Sequence, residues 1–250
     1  NSILNETREK CLDDIYRVLL LFLGTPPRMD TKFSWRTMKK DDTELIINDV
    51  TPNEFFENHV KFDLNNYICV VDDPRNDRNK LYTVESLGNL VEGDQVTYLN
   101  LEVDRIKNLT RTMLENNHPV WFGCDVGKKL CGEECVMDPD LIDLSFLNLN
   151  LKMNKKDRLE YHASLMTHAM NIMGVNVVDD KTTKWEIENS WGEKGKEKGY
   201  YMMTDKWFDE YVYEVLICKD YLTDEEKQVI EDMDYNFLPP WDPMGALAKE

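Results

Sequence analysis

Trp185-Glu186-Ile187-Glu188-Asn189-Ser190-Trp191-Gly192 reads as a strand that runs into a turn. Trp185 and Ile187 alternate with Glu186 and Glu188, the period of two that marks a half-buried strand. Asn189-Ser190 then supplies turn chemistry. Two readings of this stretch stand side by side. In one, an ordinary strand ends in a turn and Trp191 is a hydrophobic plug. In the other, Asn189 orients an imidazole and Trp191 shields that contact from water.

The second reading needs a histidine. His59 falls near a helix end and His118 before a proline in a loop, and both read as surface residues; His162 lies in a polar stretch. His168 alone sits inside an apolar, β-prone run, Leu165-Met166-Thr167-His168-Ala169-Met170. On pattern alone, such a histidine is more often a satisfied core residue than a catalytic one. Nucleophilic catalysis by cysteine needs a base to hold the proton and a third group to hold the base. A neutral Asn amide suits that third role because it fixes the ring without adding charge. Two adjacent strands could bring His168 and Asn189 together; the spacing permits this and does not require it.

Outward from that pair, the pattern predicts a helix over residues 6–23, with Leu12, Ile15, Tyr16, Leu19, Leu20 and Leu23 at helical spacing and a stop at Gly24 and Pro26-Pro27. A loop or short strand pair covers 32–47. Thr51-Pro52-Asn53-Glu54 supplies an N-cap, a proline at the first helical position and a capping-box Glu, and that helix is expected to reach about residue 60. Strands are expected at 67–71, 80–84 and 95–101, a helix at 103–116, and a strand from Pro119 to Gly123. After an irregular stretch come strands at 164–178, 184–189, 199–204 and 211–218, then a helix at 224–234. Helices first and strands later predict an α+β architecture with an antiparallel sheet or barrel in the second half. The expected divisions are 1–118 as a helical or insertion region, 119–234 as a β-rich region, and 235–250 as a tail.

Composition narrows the class. At 250 residues and 42% hydrophobic, the chain can bury a sizeable core. No run approaches the roughly 18 apolar residues that a membrane span needs, so no membrane partner is expected. Asp and Glu number 48 against 30 Lys and Arg, a net charge of −18; that balance argues against nucleic-acid binding, which rests on phosphate neutralisation. Cys11, Cys69 and Cys218 lie in apolar patterns where a free thiol acts as a small hydrophobe. Cys124, Cys131 and Cys135 are closer together, but their spacing is irregular and no His follows at finger distance. Reduced thiols, no metal, no cofactor and a cytoplasmic location are expected.

Thr167-His168-Ala169-Met170 together with Glu188-Asn189-Ser190-Trp191-Gly192 resembles the His and Asn motifs of papain-superfamily cysteine peptidases. Four further strings sharpen the likeness toward the bleomycin hydrolase type, which is related to bacterial aminopeptidase C. They are Lys80 to Glu85, Val120 to Lys128, Ser164 to Met170, and Trp241 to Ala248. The resemblance covers nearly the whole chain and is to the C-terminal half of that type. It implies a papain-like α+β fold, here mainly the β-rich His/Asn domain with helical insertions. It implies hydrolysis of peptide or amide bonds, mainly as an aminopeptidase, with His168 and Asn189 catalytic. Trp191 and Thr167 would shield the site or bind substrate. It also implies a homo-oligomer, hexameric in the family.

One departure is large. The family's nucleophile lies in a Gln-x-x-x-x-x-Cys-Trp context at a helix N-terminus, where a thiolate is stabilised. No cysteine here precedes a Trp, and no Gln stands six residues before one. Cys124 is followed by Asp125, whose charge would raise a thiol pKa rather than lower it. The nucleophilic Cys is therefore expected from an N-terminal half of the same enzyme, as a partner to this chain. The alternative is a non-catalytic papain-like binding or scaffolding module. In the tail, Pro239-Pro240-Trp241 stiffens the approach, and the small residues after it could lie extended in a cleft. By the resemblance, Ala248, Lys249 and Glu250 would then limit access to the site and bind the substrate's free α-amine.

Overall fold

Leu12, Ile15, Tyr16, Leu19 and Leu23 form one stripe of the first helix, α1 (Ser2–Leu23). The helix stops where Gly24 adopts a φ of 80° and donates its N–H to Leu20 O at 3.0 Å, a left-handed cap that glycine enters without Cβ strain. In the computed structural model, which describes residues 2–88, 93–142, 147–148 and 153–245, the chain divides into two compact units, Asn1–Leu64 and Asn65–Glu250. In the first unit, no residue of α1 is buried. An antiparallel pair, β1 (Phe33–Met38) and β2 (Glu44–Val50), leads into α2 (Pro52–Phe55). Thr51 caps α2, and both arms of the expected capping box with Glu54 are made. The helix does not run on as α to residue 60. It widens into a π turn over Phe56–Val60 as the Asn58 side chain donates to Glu54 O at 2.8 Å, a local competitor for a helical carbonyl. Phe33, Trp35 and His59 pack on Phe55 with ring centroids 5.8, 5.4 and 5.3 Å away.

The second unit is built on one mixed sheet. Its strands are β3 (Tyr67–Val71), β4 (Lys80–Val84), β5 (Tyr98–Asn100), β6 (Val120–Cys124), β7 (Leu130–Cys131) and β8 (Val136–Met137). They continue with β9 (His168–Val178), β10 (Lys181–Glu188), β11 (Tyr200–Thr204), β12 (Val212–Cys218) and β13 (Tyr235–Leu238). The spatial order is β13-β4-β5-β3-β12-β6-β9-β10-β11-β8-β7. Pairings are antiparallel except β13–β4, β3–β5 and β11–β8. Helix α3 (Val103–Glu115) turns Ile106, Leu109, Thr110 and Met113 inward and packs on β6, β9 and β12. Short α4 (Lys155–Glu160) is capped by Asn154, α5 (Asp205–Tyr211) by Thr204, and α6 (Asp224–Asp232) by Thr223 with a second capping box. The core gathers Phe122, Ile172, Trp185, Ile187, Trp207 and Val215, each at most 1% exposed, around α3 and α5. Among the described residues no helix is long and apolar enough to cross a membrane.

The architecture is the α+β class expected, but its parts are distributed differently. Residues 65–118, expected with the helical region, supply β3, β4 and β5 to the same sheet, because β3 pairs with β12 across 140 or more residues of sequence. The division falls after Leu64, not after residue 118. Residues 205–210, given no element by the pattern, form α5 together with Tyr211, which was expected to open a strand: Thr204 Oγ1 accepts the Trp207 N–H and starts a helix between two strands. Residues 235–238, expected as tail, pair in parallel with β4 as β13. The strand expected from 164 begins only at His168.

Leu109→Ala, deep in the α3 contact at 1% exposure, is expected to cost about 2–5 kcal/mol. Leu12→Ala on α1, 52% exposed, should stay within about 0.5 kcal/mol. Urea unfolding of the two variants, followed by tryptophan fluorescence, checks the contrast.

Candidate active site

Side chains alternate along a strand, so whether residues of two paired strands share a face depends on register. Over Trp185 to Glu186, β10 pairs so that Trp185 faces Val175 and Glu186 faces Gly174. One step further Ile187 faces Ile172, and Met173 is left without a partner. This is a β-bulge, one extra residue in one strand. Gly174 suits it: a Cβ there would lie 3.1 Å from Glu186 Oε2. The bulge reverses which parity of β9 faces the core, from Val175 to Ile172 and Met170. His168 follows on the same face as Met170, and Asn189 on the same face as Ile187. The two functional side chains therefore meet diagonally across the hairpin.

They meet closely. His168 Nε2 lies 2.9 Å from Asn189 Oδ1. The backbone N–H of Ser190 donates to the same oxygen at 2.7 Å. An N–H can only donate, so the atom between them is the amide oxygen and the imidazole must donate to it through Nε2–H. In the neutral ring the lone pair then sits on Nδ1, the nitrogen left for proton transfer. Asn189 is 8% exposed, and its own N–H donates to Gly199 O at 3.0 Å. The Trp191 ring lies 4.9 Å from the His168 ring at a 32° tilt, and Tyr201 meets Trp191 edge-on at 6.5 Å. Trp191 is itself 40% exposed, so it forms a cover with one face toward solvent.

The segment before His168 is fixed by polar contacts. Ser164, fully buried, donates to Asp125 Oδ2 at 2.6 Å and shares a 2.6 Å contact with the Tyr213 hydroxyl. Burial pushes the Tyr213 phenol up to about 12. Thr167 donates its backbone N–H to Cys124 O at 2.9 Å. Thr167 thus stands beside the site, with its own bonds directed to β6 rather than to the His168–Asn189 pair. These contacts replace the strand expected over 164–167.

Cys124 stands opposite His168 in the β6–β9 ladder. It is fully buried, and burial first, then the Asp125 charge, push its thiol well above the ordinary range. A thiolate is the reactive form of cysteine, so the position does not suit a nucleophile. All six cysteines are free thiols. Ala248, Lys249 and Glu250 lie outside the described residues. The sequence pattern placed Ser190 only in a turn and gave Tyr201 no role; the Ser190 N–H is a backbone group and has no signature in side-chain pattern. Tyr201 pairs across from Ile187, a contact visible only once the register is known.

The sequence matches the model of the Peptidase C1-like family over residues 1–245. It is 41% identical over 245 residues to "Aminopeptidase C" of Lactococcus lactis subsp. lactis (strain IL1403), covering 96% of this chain and 55% of that protein. It is 42% identical over 255 residues to "Bleomycin hydrolase" of Homo sapiens, covering 98% of this chain and 55% of the relative. The crystal structure of pepw from Lactobacillus rhamnosis HN001 superposes with a TM-score of 0.90 at 41% identity, covering 99% of this chain and 56% of that one. The chain thus spans about half the length of the relatives it matches.

Two measurements check this geometry. Long-range 1H–15N spectra should show the proton of the neutral His168 ring on Nε2, and Asn189→Ala should mix the tautomers. Iodoacetamide should modify exposed Cys11 within minutes at neutral pH and leave Cys124 unmodified until the chain is unfolded.

Proposed function

This chain belongs to the Peptidase C1-like family, and we propose that it supplies the His and Asn side of a cysteine aminopeptidase site whose nucleophilic Cys comes from outside this chain. Its fold is the papain-like α+β fold expected from the motifs. The observation that carries the proposal is the 2.9 Å contact of His168 Nε2 with Asn189 Oδ1, polarised from behind by the Ser190 N–H. It leaves Nδ1 free to take a thiol proton.

The chemistry would run as follows. Nδ1 of His168 accepts the proton of the incoming cysteine and holds it as an imidazolium beside the thiolate. The thiolate attacks the substrate carbonyl, and the same proton passes to the leaving amine as the C–N bond breaks, leaving an acyl-thioester. Water then attacks the thioester with His168 again as base, releasing the acid and restoring the thiol. Asn189 keeps the ring in one orientation, and Trp191 keeps water from the Nε2–H contact, where a drier surround strengthens the bond. Thr167 borders the cleft.

The cysteine would lie in the portion of the relatives' length that this chain does not span. Substrates would be peptides with a free N-terminus, with the cleft shortened by Ala248, Lys249 and Glu250 so that only the first residue or so fits. The enzyme would be a homo-oligomer, hexameric as the resemblance implies, working in the cytoplasm without a metal or organic cofactor. The acidic surplus would favour the approach of cationic N-termini.

Joined with a nucleophile-bearing portion, the chain should hydrolyse aminoacyl-arylamides; alone it should not. In the complete enzyme His168→Ala should lower kcat by about 10²–10⁴-fold or more. Asn189→Ala should cost less, since the ring can still reach the sulfur in some orientations. Turnover by His168→Ala equal to wild type would remove His168 from the catalytic machinery, and no turnover by the assembled wild type would leave the binding-module alternative.

A further inference from the structure

Cys131 and Cys135 take no part in the site chemistry, and they lie together at one edge of the sheet. β7 and β8 form a short hairpin in which Leu130 pairs with Met137 and Cys131 with Val136. Directly opposed Cα atoms of an antiparallel pair lie about 4.5–5.5 Å apart, and the next residue along a chain is about 3.8 Å further on. Cys135 adjoins Val136, so its Cα lies about 5–7 Å from that of Cys131, overlapping the roughly 4.4–6.8 Å that a disulfide spans. Strict alternation would turn the two side chains to opposite faces. Cys135 escapes it, because its φ is 57° and the strand begins only at Val136. Its Sγ–H donates to Gly132 O at 3.7 Å, the carbonyl of the residue after Cys131. The Lys196 ammonium is held charged chiefly by its bond to Glu134 and further by the Cys131 and Cys135 sulfurs, so both thiols lie near one point.

The two thiols differ in access. Cys131 is half-buried and Cys135 is 1% exposed. The loop that follows Trp191 lies against Cys135. Gly195, with a φ of 75°, stands so close that a Cβ there would overlap Cys135 Sγ and lie 2.9 Å from Gly132 O. Lys196 N–H donates to Glu133 O at 3.4 Å, and Met202 N–H to Cys135 O at 2.8 Å. The loop is also folded on itself. Gly199 N–H donates to Lys194 O at 2.9 Å, and a Cβ on Gly199 would lie 2.7 Å from Gly192 O. Gly192 follows Trp191, and Gly199 O receives the Asn189 N–H. Contacts thus run without a break from the Cys135 sulfur through Gly195, Gly192 and Gly199 to the residues that cover and orient His168.

We propose that Cys131 and Cys135 form a redox modification site: a dithiol that closes to a disulfide in exchange with a low-molecular-weight disulfide, its state being transmitted to the Trp191 loop through Gly195. The more accessible sulfur reacts first. Cys131 as thiolate attacks one sulfur of the small disulfide, whose other half leaves as a thiolate, and a mixed disulfide forms. Cys135 as thiolate then attacks the Cys131 sulfur, so the S–S bond forms within the hairpin and the second small thiolate leaves. Each cysteine gives its proton to water before attack, and each released thiolate takes one back. Two protein thiols are oxidised, and one small disulfide is reduced to two thiols. To reach Cys131 the Cys135 sulfur leaves its place against Gly195, and the loop over residues 192–199 loses a contact that seats it. The exchange needs only this chain and the small disulfide, so it stands apart from the catalytic proposal.

The test equilibrates the full chain with glutathione at graded ratios of disulfide to thiol, traps free thiols with N-ethylmaleimide in denaturant and maps each cysteine by mass spectrometry after trypsin. The peptide that begins at Leu130 carries both cysteines. On oxidation it should lose both alkyl groups together and be lighter by two hydrogens than the reduced, unalkylated peptide. Cys124 should stay fully alkylated, the mark of a chain that kept its fold during the exchange. Cys135→Ser should stop at a glutathione mixed disulfide on Cys131. Cys131→Ser should leave Cys135 a free thiol, and this change at the half-buried position carries the test if Cys135→Ser does not fold. Amide hydrogen exchange of the wild type should be at least tenfold faster over residues 192–202 in the oxidised state than in the reduced one, and unchanged over β3 and β12. Glutathione retained on Cys131 of the wild type, or both cysteines alkylated at every ratio, overturns the modification site. A disulfide that forms without altering exchange over residues 192–202 overturns its transmission to the Trp191 loop.

Discussion

The unpaired Met173 in β9 shifts the strand past β10 by one residue, and with it the face presented by every residue from Ile172 back to His168. Pairing with strict alternation from Trp185–Val175 onward would have set Asn189 opposite Asn171, on a face from which His168 points away. With the extra residue, Ile187 meets Ile172 in the core and the same parity carries His168 to Asn189. Two fully buried isoleucines thus secure the register by the area they bury, worth about 1.5–3 kcal/mol per side chain. The polar pair at the strand ends inherits that register at no further cost in backbone order.

The strands do not hold the site unaided. The backbone enters β9 through residues 164–167, where pattern suggested more strand and the structure uses Ser164, Asp125 and Tyr213 instead. A fully buried hydroxyl between a carboxylate and a phenol is costly to leave unsatisfied, so the segment has one arrangement that meets all its bonds. The same economy appears at Asp72, which receives Arg78 Nη2 at 2.7 Å and the buried Lys155 ammonium, itself bonded to Val212 O. Burial pulls the Lys155 pKa down, and the Asp72 carboxylate opposes that pull. Of the buried carboxylates, those at positions 72, 73, 226 and 242 are each matched by a cation.

Membership of the Peptidase C1-like family and the arrangement of His168, Asn189 and Trp191 bear on different questions. The first states descent and fold over residues 1–245. The second states what these side chains can do: hold one proton on Nε2, leave the other ring nitrogen open, and keep a ring over the contact. Neither makes Cys124 a nucleophile, since a buried thiol beside a carboxylate keeps its proton. The half-length match to the relatives and the unsuitable Cys124 together explain why the catalytic proposal assigns the thiolate to a portion outside this chain.

The sequence by itself determined the elements whose cause is local. The stripe of α1, the capping box at Thr51 and Glu54, the inward face of α3 and the alternation of Trp185 and Ile187 all follow from neighbours a few residues apart. It also determined which residue types stand at the site, because His168 and the Asn189-Ser190-Trp191 string are legible as chemistry. The placement of β13 and the joining of β3 to β12 needed the tertiary structure, since each is decided by partners far away in sequence. The bulge at Met173 is the sharpest case. Glycine after methionine in a strand is compatible with straight pairing, and only the competition between core faces on β9 and β10 selects the extra residue. A period of two tells that side chains alternate; it cannot tell where the alternation is reset, and at that reset His168 and Asn189 come to share a face.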